Sequence, residues 1–235
     1  YRPARRLICL RGRNMCGRFA MTVPLSTLIR EFGIERTDCD VRPSYNIAPG
    51  RDIVAIVHDD GKVLTAFRWG LVPFWTKDPS TGSRMINARA ESVAEKPAFR
   101  QAFRARRCLI AASGFYEWKK DGREKRPVYI RPKTADLICL AGVYEFWQSA
   151  DGRRLATCAI ITTEANSLIR PVHDRMPVII RKADHPLWFD RSGPVRGAQM
   201  LLTPYPDDEL EIYNVSGKVN SPVNDSPECI QREGG

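Results

Sequence analysis

The sequence lacks the features that mark several large classes of protein. It has no apolar run near the roughly eighteen residues that a membrane-spanning helix needs. No pair of cysteines has the CxxC spacing typical of structural zinc sites. It also has no linker, internal repeat or low-complexity segment. We therefore expect a protein without membrane contact, metal or cofactor.

The cysteines show no disulfide pattern. There are seven, an odd number, and several lie in apolar runs such as LICLAG and ATCAII. Cysteines of this kind behave as small buried hydrophobic residues of a reducing compartment, which favours a cytoplasmic location. Cys16 differs from them, because it follows Met15 and precedes Gly17 and Arg18.

Acidic residues are outnumbered: 37 Lys and Arg against 27 Asp and Glu give a net charge of +10. A basic excess favours a polyanionic partner, nucleic acid first, although a basic solvated surface carries the same charge. Five arginines and no acid lie in residues 1–14, so the chain from Met15 has a net charge of only +5. We expect residues 1–14 to be an extension that is either not translated or removed.

Turn signals and hydrophobic patterns predict hairpins with helices between them. Asp-Gly pairs at 60–61, 121–122 and 151–152 each separate two apolar runs, as in β-hairpins. The segments PLSTLIREFG, AEKPAFRQAFRARR and ADHPLWFD predict helices, and PVIIRK and LEIYNVS predict short strands. Strands and helices do not alternate regularly. We therefore predict one compact α+β domain over 15–225 with a curved, mostly antiparallel sheet and flanking helices, followed by a tail over 226–235.

Cys16 has unusual chemistry if translation begins at Met15 and that methionine is removed. A terminal cysteine carries two nucleophiles, an α-amine with a pKa of about 7.7–8.0 and a thiol with a pKa of about 8.5. The amine forms a Schiff base with an aldehyde, and the thiol then attacks the imine carbon to close a thiazolidine ring. A buried structural cysteine is the alternative interpretation of this segment.

Three other polar residues are candidates for acid–base or positioning roles. Glu117 lies between aromatic residues in SGFYEWKK, where an apolar setting would raise its pKa; an outward-facing strand position is the alternative. His173 lies at a strand entrance, which suits proton transfer near neutral pH, although most single histidines are structural. His58 and His185 are expected at the surface. Asn87 in MINARAES suits either a contact with a substrate oxygen or a turn.

Basic and aromatic side chains cluster in the first half of the chain. They are Arg18, Phe74, Trp75, Arg84 and Arg89. Arginines bind phosphates, and exposed aromatic rings stack on bases. The loop LVPFWTKDPSTGSR is otherwise largely polar, so its adjacent Phe and Trp are either exposed for binding or folded back over the core.

Six motifs, in one order along the chain, carry a specific resemblance. They are MCGRF, YNIAPG, RWGLVPFW, MINARAES, CLIAASGFYEW and VHDRMPVII. They resemble those of the SRAP family, the SOS response-associated peptidase domain proteins that protect abasic sites in single-stranded DNA. The resemblance runs from Met15 to about Asp225.

The resemblance implies roles for the candidate residues. Cys16 matches the cysteine that methionine removal exposes and that forms a thiazolidine with the ring-opened abasic sugar. Asn87 matches a positioning residue, Glu117 an acid–base residue and His173 a residue that assists sugar ring opening. The residues matching the DNA-binding wall and phosphate contacts are Arg18, Pro49, Phe74, Trp75 and Arg89. The family fold further implies a barrel-like sheet.

The resemblance also implies the partner, single-stranded DNA with abasic sites, and a cytoplasmic, nucleoid-associated location in the DNA damage response. Nothing in the sequence demands more than a monomer. A thiol peptidase or amidohydrolase using Cys16, His173 and Glu117 is the alternative, including self-processing of the N-terminus; a hydrolase or lyase classification follows from these interpretations. A non-catalytic single-strand binder is a third possibility. The extension departs from the family pattern, because with residues 1–14 attached the nitrogen of Cys16 is an amide and cannot form an imine.

Overall fold

The fold is described from a computed structural model, which covers residues 16–122 and 124–234. The predicted extension and Met15 lie outside the described residues. The strands are β1 Phe19–Met21, β2 Arg36–Thr37, β3 Ser44–Ile47, β4 Asp52–His58, β5 Lys62–Trp69, β6 Asn87–Arg89, β7 Arg107–Ala112, β8 Gly114–Asp121, β9 Glu124–Pro132, β10 Ile138–Gln148, β11 Arg154–Glu164, β12 Arg175–Pro177 and β13 Leu210–Asn214. The α-helices are α1 Leu25–Phe32, α2 Arg100–Ala105, α3 His185–Phe189 and α4 Val195–Met200.

Five strands close a barrel. β4 pairs with β5 and β7, β7 pairs with β10, and β10 pairs with β11, all antiparallel. β11 then pairs in parallel with β5, with Thr157 opposite Arg68, and this pairing closes the ring. β6 and β12 also pair with β11, and β2 pairs with β5. The predicted α+β domain with a curved, mostly antiparallel, barrel-like sheet is confirmed.

A second, five-stranded antiparallel sheet packs beside the barrel in the order β13-β9-β8-β1-β3. The short strand β1 lies between β8 and β3, with Phe19 opposite Phe115. The chain just before β1 continues along β8, because the backbone N–H of Tyr116 donates to the carbonyl of Arg18 at 2.9 Å. This register decides which side chains meet residues 16–18.

Helices α1, α2 and α3 form in segments predicted as helices, whereas α4 was not predicted. In α1, Leu28 and Phe32 are buried, while Ile29 stays 41% exposed. Gly33 ends the helix with a φ of +61°, a conformation that glycine adopts without steric cost, and its N–H donates to the carbonyl of Ile29. α2 buries Phe103 as predicted, although it begins at Arg100, after a series of turns.

The expectation that His185 lies at the surface is wrong. The residue is only 4% exposed, and its ring packs against Phe32 at a centroid distance of 5.9 Å. Burial disfavours the charged form and lowers the pKa of His185 to about 4. The sequence shows His185 at a polar helix start but does not show that this end of α3 turns toward α1.

The segment predicted as a C-terminal tail packs on the second sheet. Cys229 is fully buried, and the hydroxyl of Tyr213 donates to the carbonyl of Ile230 at 3.0 Å. An isolated bridge also joins Val215 to Arg232. The packed fold therefore continues past residue 225.

Gly114 allows β8 to pack closely against β9. A Cβ atom at this position would lie 2.5 Å from the carbonyl oxygen of Ile130 and 2.6 Å from the ring of Tyr129. We predict that Gly114→Ala lowers the free energy of unfolding by about 1–3 kcal/mol through overpacking. Urea denaturation measures the change. Gly217→Ala is the matched control, because its nearest atom would be 3.6 Å away; equal losses in both variants would contradict the packing argument.

Candidate functional site at Cys16

The pairing of β1 with β8 places Cys16 beside Glu117. The backbone nitrogen of Cys16 donates a hydrogen bond to Oε1 of Glu117 at 2.9 Å. Both residues are buried, with exposures of 1% and 3%. The structure therefore joins the two residues that the sequence analysis proposed as nucleophile and acid–base group, although they are 101 positions apart.

Glu117 is a carboxyl group held in a mostly apolar setting. Burial raises its pKa to about 8, and the negative charge of Asp174 acts in the same direction. Hydrogen bonds from the backbone N–H groups of Cys16 and Trp118 oppose this shift without cancelling it. At pH 7 most of this carboxyl is protonated, so it has a proton to donate. The outward-facing alternative for Glu117 is wrong, since neighbouring Phe115 and Tyr116 are buried as well.

The thiol of Cys16 is also kept uncharged. Burial, and secondly the charge of Glu117, raise its pKa well above the ordinary value. The backbone of Cys16 has a φ of +22°, which is uncommon for a residue other than glycine. Little thiolate is present in this setting, so the thiol is a weak nucleophile. It therefore needs a strongly electrophilic carbon as its reaction partner.

Asn87 reaches the same residue from the barrel. β6 runs parallel to β11, with Asn87 opposite Ile160. From there Nδ2 of Asn87 donates a long, 3.5 Å hydrogen bond to the backbone carbonyl of Cys16. The site therefore lies where the second sheet meets the barrel.

His173 is not bonded to Cys16 or Glu117. Its Nδ1 accepts a hydrogen bond from the backbone N–H of Arg175 at 3.0 Å and lies 3.1 Å from a carboxylate oxygen of Asp174. Within residues 16–122 and 124–234, His173 makes no hydrogen bond to Cys16 or Glu117. Its connection to Glu117 is indirect, through the electrostatic effect of Asp174.

Arg18 is held by residues that the sequence analysis missed. Its Nη1 donates to Oδ1 of Asn46 at 2.6 Å and to the carbonyl of Val219 at 2.7 Å. The guanidinium also lies over the ring of Trp118, 5.7 Å from the centroid. Asn46 is 2% exposed and sits in the YNIAPG motif, but no local pattern shows that its partners come from the end of the chain.

The loop LVPFWTKDPSTGSR exposes its two adjacent aromatic residues and does not fold them back over the core. Phe74 is 50% exposed and Trp75 is 56% exposed. The loop is anchored by Thr76, whose carbonyl accepts a 2.7 Å bond from the indole of Trp147. Pro49 is exposed on the adjacent turn, which is bonded to the end of β5.

The remaining predicted contact residue, Arg89, is exposed at the end of β6, two residues after Asn87. No group of His, Cys, Asp and Glu residues in the described part of the chain has the arrangement of a metal site. None of the helices in that part is long and apolar enough to cross a membrane.

A family model for the SOS response associated peptidase (SRAP) matches residues 15–222. The chain belongs to the SRAP family. Abasic site processing protein YoqW of Bacillus subtilis (strain 168) is 43% identical over 92% of this chain and 99% of its own length. Abasic site processing protein HMCES of Gallus gallus is 32% identical over 80% of this chain and 66% of its own length.

Two solved structures share the fold of this chain. A protein from Bacteroides thetaiotaomicron has a TM-score of 0.84 and 26% identity, covering 92% of this chain and 99% of that one. A phage-related protein from Bordetella bronchiseptica has a TM-score of 0.68 and 26% identity, covering 85% of this chain and 94% of that one. The barrel and second sheet are therefore a shared architecture.

The raised pKa of Glu117 makes stability depend on pH. Well below pH 4.5, the carboxyl is protonated in both the folded and the unfolded chain. As pH rises toward 8, the unfolded chain releases a proton that the folded chain keeps. We therefore predict that the wild type loses up to about 1.4 kcal/mol per pH unit relative to Glu117→Gln.

Chemical denaturation of both proteins from pH 5 to roughly one pH unit above the folded-state pKa of about 8 measures this difference. The difference should level off above the folded-state pKa, because the carboxyl is then ionised in both states. A difference that is flat across the range, or that favours the wild type as pH rises, would contradict the neutral state of Glu117.

Proposed function

We propose that this SRAP protein forms a covalent thiazolidine crosslink with abasic sites in single-stranded DNA and so shields the lesion. The observation that carries the proposal is the 2.9 Å contact between the nitrogen of Cys16 and the buried carboxyl of Glu117. In the reacting form, Cys16 is the first residue and this nitrogen is an amine. The names of the relatives support abasic sites as the substrate class.

The crosslink forms in three steps. The amine nitrogen adds to the aldehyde carbon of the ring-opened sugar and gives a carbinolamine. The carbinolamine loses its hydroxyl as water and becomes an imine. The thiol sulfur then bonds to the imine carbon while its proton passes to the nitrogen, so the only product besides the thiazolidine is one water molecule.

Glu117 suits the proton transfers of these steps. Its neutral carboxyl donates a proton to the departing hydroxyl, and the resulting carboxylate accepts the proton of the nitrogen. The thiol attacks last, which agrees with its raised pKa. His173 assists opening of the sugar ring, and Asn87 positions Cys16 through the backbone carbonyl.

An abasic nucleotide has no base to read, so recognition uses the backbone and the neighbouring bases. Arg18 and Arg89 contact phosphates beside the lesion. The exposed wall of Pro49, Phe74 and Trp75 supports stacking of a flanking base. The protein would act where chromosomal DNA lies, in the cytoplasm and at the nucleoid.

The deciding experiment separates the two nucleophiles of Cys16. Protein begun at Met15 is incubated with a single-stranded oligonucleotide carrying one abasic site and analysed on a denaturing gel. We predict a stable shifted band for the wild type and none for Cys16→Ala. Because Cys16→Ala keeps an α-amine, borohydride reduction should trap its imine and restore a band.

Protein that retains residues 1–14 is the second control, since its Cys16 nitrogen is an amide. It should give no band with or without borohydride. A stable band from Cys16→Ala without reductant, or from a species that mass spectrometry shows to begin at Tyr1, would contradict the mechanism. Cleavage of peptides by protein with Cys16 held internally would favour the peptidase alternative.

The aromatic wall generates a separate prediction about binding. Trp75→Ala should weaken binding to undamaged single-stranded DNA by about 1–3 kcal/mol, the value of one stacked base. Fluorescence anisotropy measures the change, and thermal denaturation should be unaffected. Phe146→Ala is the matched control, because Phe146 is 59% exposed on β10 and carries no proposed DNA contact. Equal losses of DNA-binding free energy in both variants would contradict a stacking role for Trp75.

A further inference from the structure

We propose that a basic groove, formed by α2, α4 and the chain between α3 and α4, binds the phosphodiester backbone of DNA outside the Cys16 site. This inference rests on the proposed function for the identity of the polyanion. The groove has a volume of about 890 Å³. Its lining includes none of Cys16, Asn87 and Glu117.

Three arginines line this groove: Arg100, Arg104 and Arg191. Arg100 and Arg104 are one helical turn apart on α2, so they face the same side. All three are exposed. In the part of the chain that the structure describes, none of them has a carboxylate within ion-pair distance, whereas exposed Arg30, Arg36 and Arg153 do.

The positive charge continues beneath the groove. Arg107 is 3% exposed, and its guanidinium donates to four backbone carbonyls, including those of Trp188 at 2.6 Å and Phe103 at 2.7 Å. Carbonyls orient this cation without neutralising it. Asp190 borders the groove, and its carboxylate, which accepts hydrogen bonds from Ser192 and Gly193, offsets part of this positive charge.

The lining also indicates which part of a nucleic acid it contacts. It includes no aromatic residue, so it offers no platform for stacking bases. Its other long side chains are Gln101 and Gln199, whose amides donate hydrogen bonds to phosphate oxygens. It also lacks the buried aromatic anchors that dominate protein–protein binding. These features favour a phosphate backbone over an acidic protein.

The test is the salt dependence of DNA binding. The triple variant Arg100→Gln, Arg104→Gln, Arg191→Gln is compared with the wild type on undamaged DNA by fluorescence anisotropy. Each lost phosphate contact lowers the magnitude of the slope of log K against log salt by about 0.9 for a duplex and about 0.7 for a single strand. We expect the slope to fall by about 2 to 3. The measurement is made separately on duplex and on single-stranded DNA. The DNA form for which the slope falls is the form that occupies the groove.

A matched control removes the same charge elsewhere. Arg30, Arg36 and Arg153 are exposed and paired with acidic residues, so replacing them with glutamine should change the slope by less than one contact. The triple lysine variant at the groove keeps the charge and should keep the slope. Thermal denaturation of each variant verifies that the fold is retained.

Three outcomes would overturn the groove proposal. The first is an unchanged slope in both DNA arms, and the second is an equal fall in the control variant. Loss of binding to a poly-glutamate peptide with unchanged DNA binding would likewise overturn it, in favour of an acidic protein partner. Abasic-site crosslinking is measured separately on the same proteins. If the wild type crosslinks but the triple variant has the same slope as the wild type, only the groove proposal is refuted. If the slope of the triple variant falls but the wild type does not crosslink, only the proposed chemistry is refuted.

Discussion

The hydrogen bond between the nitrogen of Cys16 and the carboxyl of Glu117 is the interaction on which the site depends. It exists because β1 runs antiparallel to β8, so the residues just before β1 lie along the middle of β8. The same packing removes Glu117 from water and keeps its carboxyl largely protonated near pH 7. On an open surface the same two residues would hold an ionised carboxylate with no proton to donate.

Burial of Glu117 keeps its carboxyl protonated but lowers the stability of the fold. A buried carboxyl with a raised pKa makes the folded chain less stable as pH rises. Closure of the barrel leaves its five strands no unpaired edge within the ring. The candidate site lies outside this ring, on the second sheet and at its junction with the barrel, where Asn87 reaches Cys16 from β6.

The end of the chain supports the site from outside. Asn46 donates to three carbonyls of the C-terminal segment, those of Val219, Ser221 and Asn224, while its oxygen holds Arg18. The indole of Trp118 bonds to the same segment. Arg18 is therefore held in one orientation by residues from three separate parts of the sequence.

Local patterns in the sequence determined the hairpins, helix α1 and the single α+β domain, because turn residues and hydrophobic spacing act over a few positions. The residue types of the candidate site were readable too, because Cys16, Asn87 and Glu117 are given directly by the sequence. Only the tertiary structure decided which side chains are buried. β8 is covered on both faces, so alternation does not show that Glu117 faces inward, and nothing local shows that His185 packs on α1. These outcomes depend on contacts between residues tens to hundreds of positions apart, which no short window of sequence contains.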